Sequence, residues 1–303
     1  MDSALTTIGL PVALGIIMFG LGLTLTASDF ARVGKHPKAV LIALVCQLIL
    51  LPAICFGLVL AFQLPPVLAV GMLVLAASPG GTTANLYSHL FRGDVALNIS
   101  LTAINSVIAV VTLPIIVNLA IGYFLPGGGQ VGLQLGKTLE VFAIVLLPVL
   151  LGMLVRRWKP TFADAMDKPV RIASVVILVV VIAGAVVSNR EILVEHFAGL
   201  AAITVLFCAI SLTVGYVVPL WFRVGRAQSV ASGFEIGIHN ATLAIVIAQS
   251  VLLSVEMSLP AAVYGVLMFF VAAAFGFIMR LSRPSTLIES GHSAGGSRRT
   301  PAI

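Results

Sequence analysis

Apolar runs of about 20 residues recur along almost the entire chain, and this pattern restricts its fold more than any other feature. A helix that crosses a bilayer needs about 20 mainly apolar residues, so each run is long enough for one crossing. With 60% hydrophobic and 9% charged residues among 303, the composition excludes a soluble domain. We predict an all-α, polytopic membrane protein with about nine transmembrane helices, in a single domain over residues 1–281. The runs lie at about residues 8–27, 37–61, 66–90, 95–124, 138–157, 169–188, 198–222, 227–252 and 259–281.

The positions of lysine and arginine predict how these runs are oriented, because cytoplasmic loops of membrane proteins retain basic residues. If the N-terminus lies outside, the outer segments hold only Lys137 and Arg190. This predicts an N-out, C-in protein of a bacterial inner membrane. The basic residues show no aromatic interleaving, so we expect membrane lipid but no nucleic acid as a partner. The inner segments then hold Arg32, Lys35, Lys38, Arg92, Arg156, Arg157, Lys159, Lys168, Arg171, Arg223, Arg226, Arg280, Arg283, Arg298 and Arg299.

Residues 282–303, after the last run, have a different composition. They are rich in Gly, Ser and Arg and contain too few apolar residues to form a core. We expect a disordered cytoplasmic tail. No pattern in the chain predicts an obligate protein partner.

Glu235 is the only carboxylate inside a long apolar run. A charged side chain at mid-bilayer costs about 2.5–3.5 kcal/mol on insertion scales, so it should face protein, water or a cation rather than lipid. Glu235 therefore predicts an ion pathway.

Two of the runs are interrupted by residues that break helices. The third contains Pro79, Gly80 and Gly81, and the eighth contains Gly237 between Glu235 and the His239-Asn240 pair. In transporters, half-helices that end at the midplane direct positive dipoles at anions and free carbonyls at cations. The fourth run adds polar residues at near four-residue spacing, which places them on one helix face. That face, formed by Asn98, Thr102, Asn105 and Ser106, could complete a cation site.

Three motifs together resemble the bile acid:sodium symporter family. They are Gly15 to Leu25, Ser78 to Asn85, and Glu235 to Asn240. The resemblance implies an inverted-repeat transporter in which two broken helices cross, with nine helices where many bacterial relatives have ten. It also implies a core domain, with helices at about 37–124 and 198–281, and a panel domain, with helices at about 8–27 and 138–188.

The resemblance further implies two sites for Na⁺, the expected coupling ion. Oxygen donors suit a hard cation, but alanine stands in the first site where the family usually has serine. In the second site His239 replaces a usual glutamine, and imidazole nitrogen suits Na⁺ poorly. The first site is formed by Ala84, Asn85, Asn98, Thr102 and Glu235, and the second by Gln47, Glu235, His239 and the carbonyls of Ile236 and Ile238.

The two half-helix N-termini should present backbone N–H groups to an anion. The family resemblance points to organic anions, and we expect small carboxylates such as pantoate or 2-oxo acids, with bile acids as a wider possibility. Bile acids are disfavoured because Met268 and Phe269 replace a His-Asn pair that one bacterial branch has near the steroid cavity. The expected substrate-binding residues are Thr82, Thr83, Asn85 and Asn240.

Alternatives remain open at this stage. Protonated His239 could replace one sodium ion, which would give a proton-coupled or mixed transporter, or neutral His239 could only donate a structural hydrogen bond. A channel would also place polar residues at the midplane, although broken helices that converge on one acid fit a binding site better. An intramembrane enzyme is disfavoured because the apolar runs lack Gly-x-Ser-x-Gly, His-Glu-x-x-His and a second deep carboxylate.

Overall fold

The computed structural model describes residues 9–81, 83–126, 135–188 and 190–281. The predicted tail and Thr82 lie outside this part of the chain. Within it every regular element is helical, which confirms the all-α prediction. The helices are α1 Leu10–Thr24, α2 Ala27–Arg32, α3 Pro37–Val45, α4 Leu51–Ala61, α5 Pro66–Ala77, α6 Thr83–Leu90, α7 Val95–Phe124, α8 Leu135–Trp158, α9 Pro160–Ser188, α10 Arg190–Trp221, α11 Arg226–Gly237, α12 Ala241–Val246 and α13 Leu259–Leu281.

Four helices of the described segments are long and apolar enough to cross a membrane: Pro37–Ala61, Val95–Phe124, Arg190–Trp221 and Glu256–Leu281. The first of these joins α3 to α4 through a π turn, Cys46–Leu50. A bent pair, Pro11–Thr24 with Ala27–Lys35, adds a fifth candidate and turns by 69°. The count of nine crossings stays a prediction, since it also needs α8, α9 and the two broken pairs, α5 with α6 and α11 with α12, to cross.

Two helix starts differ from the sequence prediction. We expected the sixth and seventh helices to begin near residues 169 and 198, but α9 begins at Pro160 and α10 at Arg190. Both added segments contain charged residues, so a search for apolar runs does not detect them. A helix can continue past the hydrocarbon region, because its backbone hydrogen bonds do not depend on apolar side chains.

The bend between α1 and α2 has a local cause. Leu25 and Thr26 are extended, which ends α1, and a capping box then starts α2. The Thr26 amide donates to Asp29 Oδ2 at 2.7 Å, and the Thr26 hydroxyl donates to the same oxygen at 2.6 Å. These bonds satisfy polar groups that a helix start leaves without partners.

The helices pack in two groups. Helix α1 packs mainly on α8 and α9, whereas α10 packs on α11 and α13, and α5 packs on α7. Glycines let α1 and α8 approach closely, since a Cβ on Gly152 would lie 2.8 Å from the Gly22 Cα. The grouping agrees with the expected panel and core domains, but this division of the chain stays a prediction.

The broken helices cross at an isolated antiparallel bridge between Gly80 and His239. The Gly81 amide donates to the Ile238 carbonyl at 2.8 Å, and the Asn240 amide donates to the Pro79 carbonyl at 2.9 Å. Helix α5 ends at Ala77, before Pro79, which has no N–H with which to continue a helix. Irregular backbone is tolerated at membrane depth only where protein or water satisfies it. Here each break satisfies the other.

Several basic segments meet at one end of the molecule. Gln228 Nε2 lies 2.8 Å from His36 Nδ1, and the Asp94 amide donates to the Ala227 carbonyl at 2.9 Å. Arg226 Nη2 donates to the Met279 carbonyl at 2.9 Å. The ends of α2, α6, α11 and α13 are therefore close together. The charge count predicts that this end faces the cytoplasm.

Candidate functional site

The carboxylate of Glu235 lies at the helix crossing and is completely buried. Thr102 Oγ1 donates to Glu235 Oε2 at 2.6 Å, and Asn105 Nδ2 donates to Oε1 at 3.3 Å. Gly80 lies so close that a Cβ there would overlap the carboxylate. Among the described residues, no lysine or arginine forms an ion pair with Glu235. A buried, unpaired carboxylate is costly and favours either a proton or a bound cation.

Four buried amide oxygens have no hydrogen-bond partner in the described segments: Gln47 Oε1, Asn85 Oδ1, Asn98 Oδ1 and Asn105 Oδ1. An unpartnered buried acceptor costs about 1–3 kcal/mol, so four in one protein need an explanation. The other such atoms in these segments are the hydroxyls of Ser211 and Ser232 and Nε2 of His239.

Neighbouring acceptors fix the orientation of three of these amides. Gln47 Nε2 donates to the Ser78 carbonyl at 3.0 Å, and Asn98 Nδ2 donates to the Ala231 carbonyl at 3.0 Å. Asn105 Nδ2 faces the Glu235 carboxylate. Because carbonyl oxygens and an ionised carboxylate only accept, each amide nitrogen must point toward its partner. The unpartnered atoms are therefore oxygens, which are the ligands that hard cations prefer.

The structure brings together three members of the first predicted sodium site. Thr102 contacts Glu235, and its hydroxyl also lies 3.1 Å from the Asn98 carbonyl one turn earlier in α7. Asn98 Nδ2 also bonds to Ser88 Oγ at 2.6 Å, so its amide links α7 to α6 as well as to α11.

The remaining members of that site lie on α6. Ala84 is buried, and its amide donates to the Gly81 carbonyl at 2.9 Å. Alanine has no side-chain oxygen, so it could contribute only its backbone carbonyl. Asn85 is half-buried and presents its unpartnered Oδ1.

Asn105 contacts Glu235; it belongs to the polar face predicted to complete a cation site, although the family resemblance does not include it in the first sodium site. Its position seven residues after Asn98 places both on one face of α7, and this spacing was visible in the sequence. The choice between Asn105 and its neighbour Ser106 needed the structure. Ser106 instead donates to the Thr102 carbonyl at 2.7 Å, which is a local bond within the helix.

Two members of the second predicted site converge on one atom, the carbonyl oxygen of Ser78. Gln47 Nε2 lies 3.0 Å from this oxygen and His239 Nδ1 lies 3.1 Å from it. Gln47 is on the π turn Cys46–Leu50, which widens the helix locally, and such turns are frequent at functional sites. The shared Ser78 carbonyl was not predicted, because backbone contacts between distant segments leave no signal in side-chain type.

The contact with Ser78 determines which histidine nitrogen carries the proton. A carbonyl only accepts, so Nδ1 of His239 must be the donor and Nε2 of the neutral ring is then an acceptor. Nε2 has no partner in the described residues. The ring stacks on Phe207 with centroids 5.4 Å apart and meets Tyr264 edge-on at 5.5 Å. The structural hydrogen bond of the simpler alternative is therefore present, and an additional acceptor remains.

The backbone carbonyls of the second site differ in whether they accept a hydrogen bond. Ile238 O accepts the Gly81 amide at 2.8 Å. In a continuing helix Ile236 O would receive the Asn240 amide, but that amide donates to Pro79. The neighbouring Gly237 carbonyl accepts the Tyr264 hydroxyl at 2.7 Å. The break therefore removes the usual helical hydrogen-bond donor from the Ile236 carbonyl.

The expected substrate residues are at the starts of the second half-helices. Thr83 begins α6 and is half-buried, while Thr82 lies outside the described residues. Asn240 caps α12, with its Oδ1 accepting the Leu243 amide at 3.0 Å. This cap uses one of the amides that we expected to face the substrate anion. The role of all four residues in substrate binding stays a prediction.

Comparison with known proteins agrees with the motifs. The sequence model described as the Sodium Bile acid symporter family matches residues 11–196, more than half of the chain. The "Uncharacterized sodium-dependent transporter YocS" of Bacillus subtilis (strain 168) is 28% identical over 242 residues, which are 79% of this chain and 73% of that protein.

Two further relatives cover less of their own length. The "Probable sodium/metabolite cotransporter BASS2, chloroplastic" of Oryza sativa subsp. japonica is 25% identical over 83% of this chain and 59% of that protein. The human "Sodium/bile acid cotransporter 4" is 34% identical over 52% of this chain and 36% of that protein. A large part of each of these two proteins is therefore not matched by this chain.

Proposed function

This chain belongs to the sodium bile acid symporter family, and on that premise we propose that it couples Na⁺ to the uptake of a small organic anion. It is an integral membrane transporter rather than an enzyme. The proposed mechanism is secondary active symport, with access to a site at Glu235 alternating between the two sides of the membrane.

One observation carries this proposal: the buried Glu235 carboxylate and a set of unpartnered amide oxygens belong to the helices that meet at the crossing. A sodium ion among them would balance the carboxylate charge and supply a ligand for the oxygens. We place the first Na⁺ at Glu235, Asn98, Thr102 and Asn85, with Asn105 as an added ligand. We place a second cation position at Gln47, His239 and the carbonyls of Ile236 and Ile238.

Binding of the ion and of the substrate would be coupled through the backbone at the helix crossing, which lies next to both sites. The Gly81 amide donates to the Ile238 carbonyl and the Asn240 amide to the Pro79 carbonyl, so an ion that stabilises this arrangement also fixes the starts of α6 and α12. Those starts are the segments that we assign to the substrate. Ion and substrate would then favour the same conformation, and each would increase the affinity for the other by the same factor.

We infer that the substrate carries a carboxylate. The half-helix starts supply N–H groups and positive dipole ends, which favour an anion. Polar side chains near these starts, Thr83 and Asn85, could select the group next to the carboxylate. Pantoate and 2-oxo acids fit this description, and the family relationship extends the class to bile acids.

The test is uptake of labelled pantoate, pyruvate and taurocholate into proteoliposomes under an imposed inward Na⁺ gradient. We expect one of the small acids to accumulate and expect Glu235→Gln to abolish the Na⁺-driven component, because the variant keeps the side-chain size but loses the charge. Glu256→Gln is the matched control, since Glu256 is exposed and distant in sequence from the crossing. Uptake that equilibrates without a Na⁺ requirement would contradict symport and support a channel.

A further inference from the structure

A second polar feature lies away from the helix crossing. A pocket of about 150 Å³ at the basic end of the molecule is lined by Arg92, Arg226 and Arg280, together with apolar residues of α6, α11 and α13. None of the lining residues is acidic.

The three guanidinium groups have no counter-charge in the described segments. No carboxylate there forms an ion pair with any of them, and all three residues are exposed. Arg226 Nη2 donates to the Met279 carbonyl, which holds its guanidinium beside the residue that precedes Arg280. Like charges held together repel each other unless an anion lies between them.

Arg92 occupies a position where an arginine is conformationally unfavourable. Its φ of 60° lies in the left-handed region, two residues after the end of α6. Glycine is the usual residue at such a helix end, because it has no Cβ to oppose this conformation. Gln63 and Arg223 have similar φ angles of 50° and 60°, so the pocket rather than this conformation assigns a role to the charge of Arg92.

The surroundings of the pocket distinguish a lipid from a free anion. Its apolar wall includes Phe91, which packs against Gly276, and the adjoining surface exposes Leu90, Phe277 and Leu281. A site that joins several arginines to a lipid-facing apolar surface matches a phospholipid, whose phosphate adjoins its acyl chains. Basic pockets between helices on the cytoplasmic side are known to bind anionic headgroups.

We propose that this pocket binds the phosphate headgroup of an anionic phospholipid of the inner leaflet, with Arg92, Arg226 and Arg280 as its ligands. The bound lipid would connect the ends of α6, α11 and α13. This inference does not depend on which substrate the protein transports.

The test uses the purified full-length chain in neutral detergent, titrated with phosphatidylglycerol and followed by the midpoint of thermal unfolding. The main variant is Arg92→Gln with Arg280→Gln, because neither side chain makes a hydrogen bond within the described segments. The control, Arg157→Gln with Lys159→Gln, removes the same charge from exposed positions outside the pocket. We expect the half-saturating lipid concentration to rise at least tenfold in the main variant and less than twofold in the control.

Three results would overturn the proposal. Equal shifts in both double variants would mean general surface charge, and no preference for phosphatidylglycerol over phosphatidylcholine would mean no anion site. Competition by inorganic phosphate at the same concentration as the lipid would assign the pocket to a soluble anion. If the double variant fails to fold, each single substitution should still raise the half-saturating concentration by about threefold or more.

Discussion

Individual atoms at the helix crossing differ in whether they can donate a hydrogen bond, and this difference decides which ligand can bind. The two proposed cation positions contain five unpartnered side-chain atoms, and each of them is a hydrogen-bond acceptor in the orientation that the structure gives it. They belong to Gln47, Asn85, Asn98, Asn105 and His239. An anion could not bind among acceptors, whereas a cation could. The crossing itself therefore suits the coupling ion, and the substrate anion must bind where N–H groups are available.

Gly80 offers a direct test of the ion site. A Cβ at Gly80 would overlap the Glu235 carboxylate and lie 2.6 Å from the Glu235 backbone oxygen, whereas a Cβ at Gly81 would lie 3.5 Å from its nearest neighbour. Neither glycine has a positive φ, so alanine is compatible with both backbones. We expect Gly80→Ala to weaken Na⁺ binding at least tenfold and Gly81→Ala to change it less than threefold. The measurement is the Na⁺ concentration that half-saturates the rise in thermal stability.

The second prediction is that His239 sets the number of sodium ions transported with each substrate. Its Nε2 is an acceptor, but nitrogen suits Na⁺ less well than the amide oxygen that glutamine would supply. We therefore expect the native protein to transport one Na⁺ per substrate and His239→Gln to transport two, measured by reversal potentials in proteoliposomes. A proton gradient that drives uptake by the native protein but not by the variant would identify His239 as a proton carrier. If both the Na⁺ ratio and the pH dependence are unchanged in the variant, His239 has only a structural role.

At the scale of elements, the two breaks were predictable and several boundaries were not. Pro79 with two glycines, and Gly237 after Glu235, interrupt apolar runs in a way that a continuous helix would not favour. The π turn that holds Gln47 has no such sequence signal, since Cys46–Leu50 is an ordinary apolar stretch around one glutamine. The polar starts of α9 and α10 were missed because only the apolar part of a helix identifies it as a crossing.

The contact between α1 and α8 gives a prediction for glycines. A Cβ on Gly152 would overlap the Phe19 carbonyl and the Gly22 backbone, while a Cβ on Gly122 in α7 would meet nothing within 4 Å. We expect Gly152→Ala to lower stability by about 1–3 kcal/mol, because two backbones must separate. Gly122→Ala should leave stability unchanged or raise it by up to about 1 kcal/mol through helix propensity. Thermal unfolding in detergent measures both, and equal midpoints for the two variants would contradict the close packing.

At the scale of the whole molecule, residues far apart in sequence meet at two places. Segments near residues 80, 102 and 235 form the helix crossing, and segments near 36, 92, 228 and 280 form the basic end. The sequence predicted that the basic segments share one side, because an odd number of crossings separates the inner from the outer charges. It could not predict that Arg92, Arg226 and Arg280 line one pocket, since that depends on how the helices pack.

The orientation of the whole chain can be tested through α9, the helix that separates Arg157 from Arg190. Its 29 residues span about 44 Å at about 1.5 Å per residue, more than the hydrocarbon thickness of about 30 Å. Cys46, Cys55 and Cys208 are buried, so a membrane-impermeant maleimide should not reach them in the native chain.

We expect intact cells to label Arg190→Cys but not Arg157→Cys or Lys38→Cys, and lysed cells to label all three, because these positions are exposed. The reverse pattern would place the basic end outside, against the bias that keeps lysine and arginine in the cytoplasm. It would also remove the inner-leaflet lipid from the arginine pocket. Labelling of Arg157→Cys and Arg190→Cys from the same side would mean that α9 does not cross, and the nine-helix topology would be wrong.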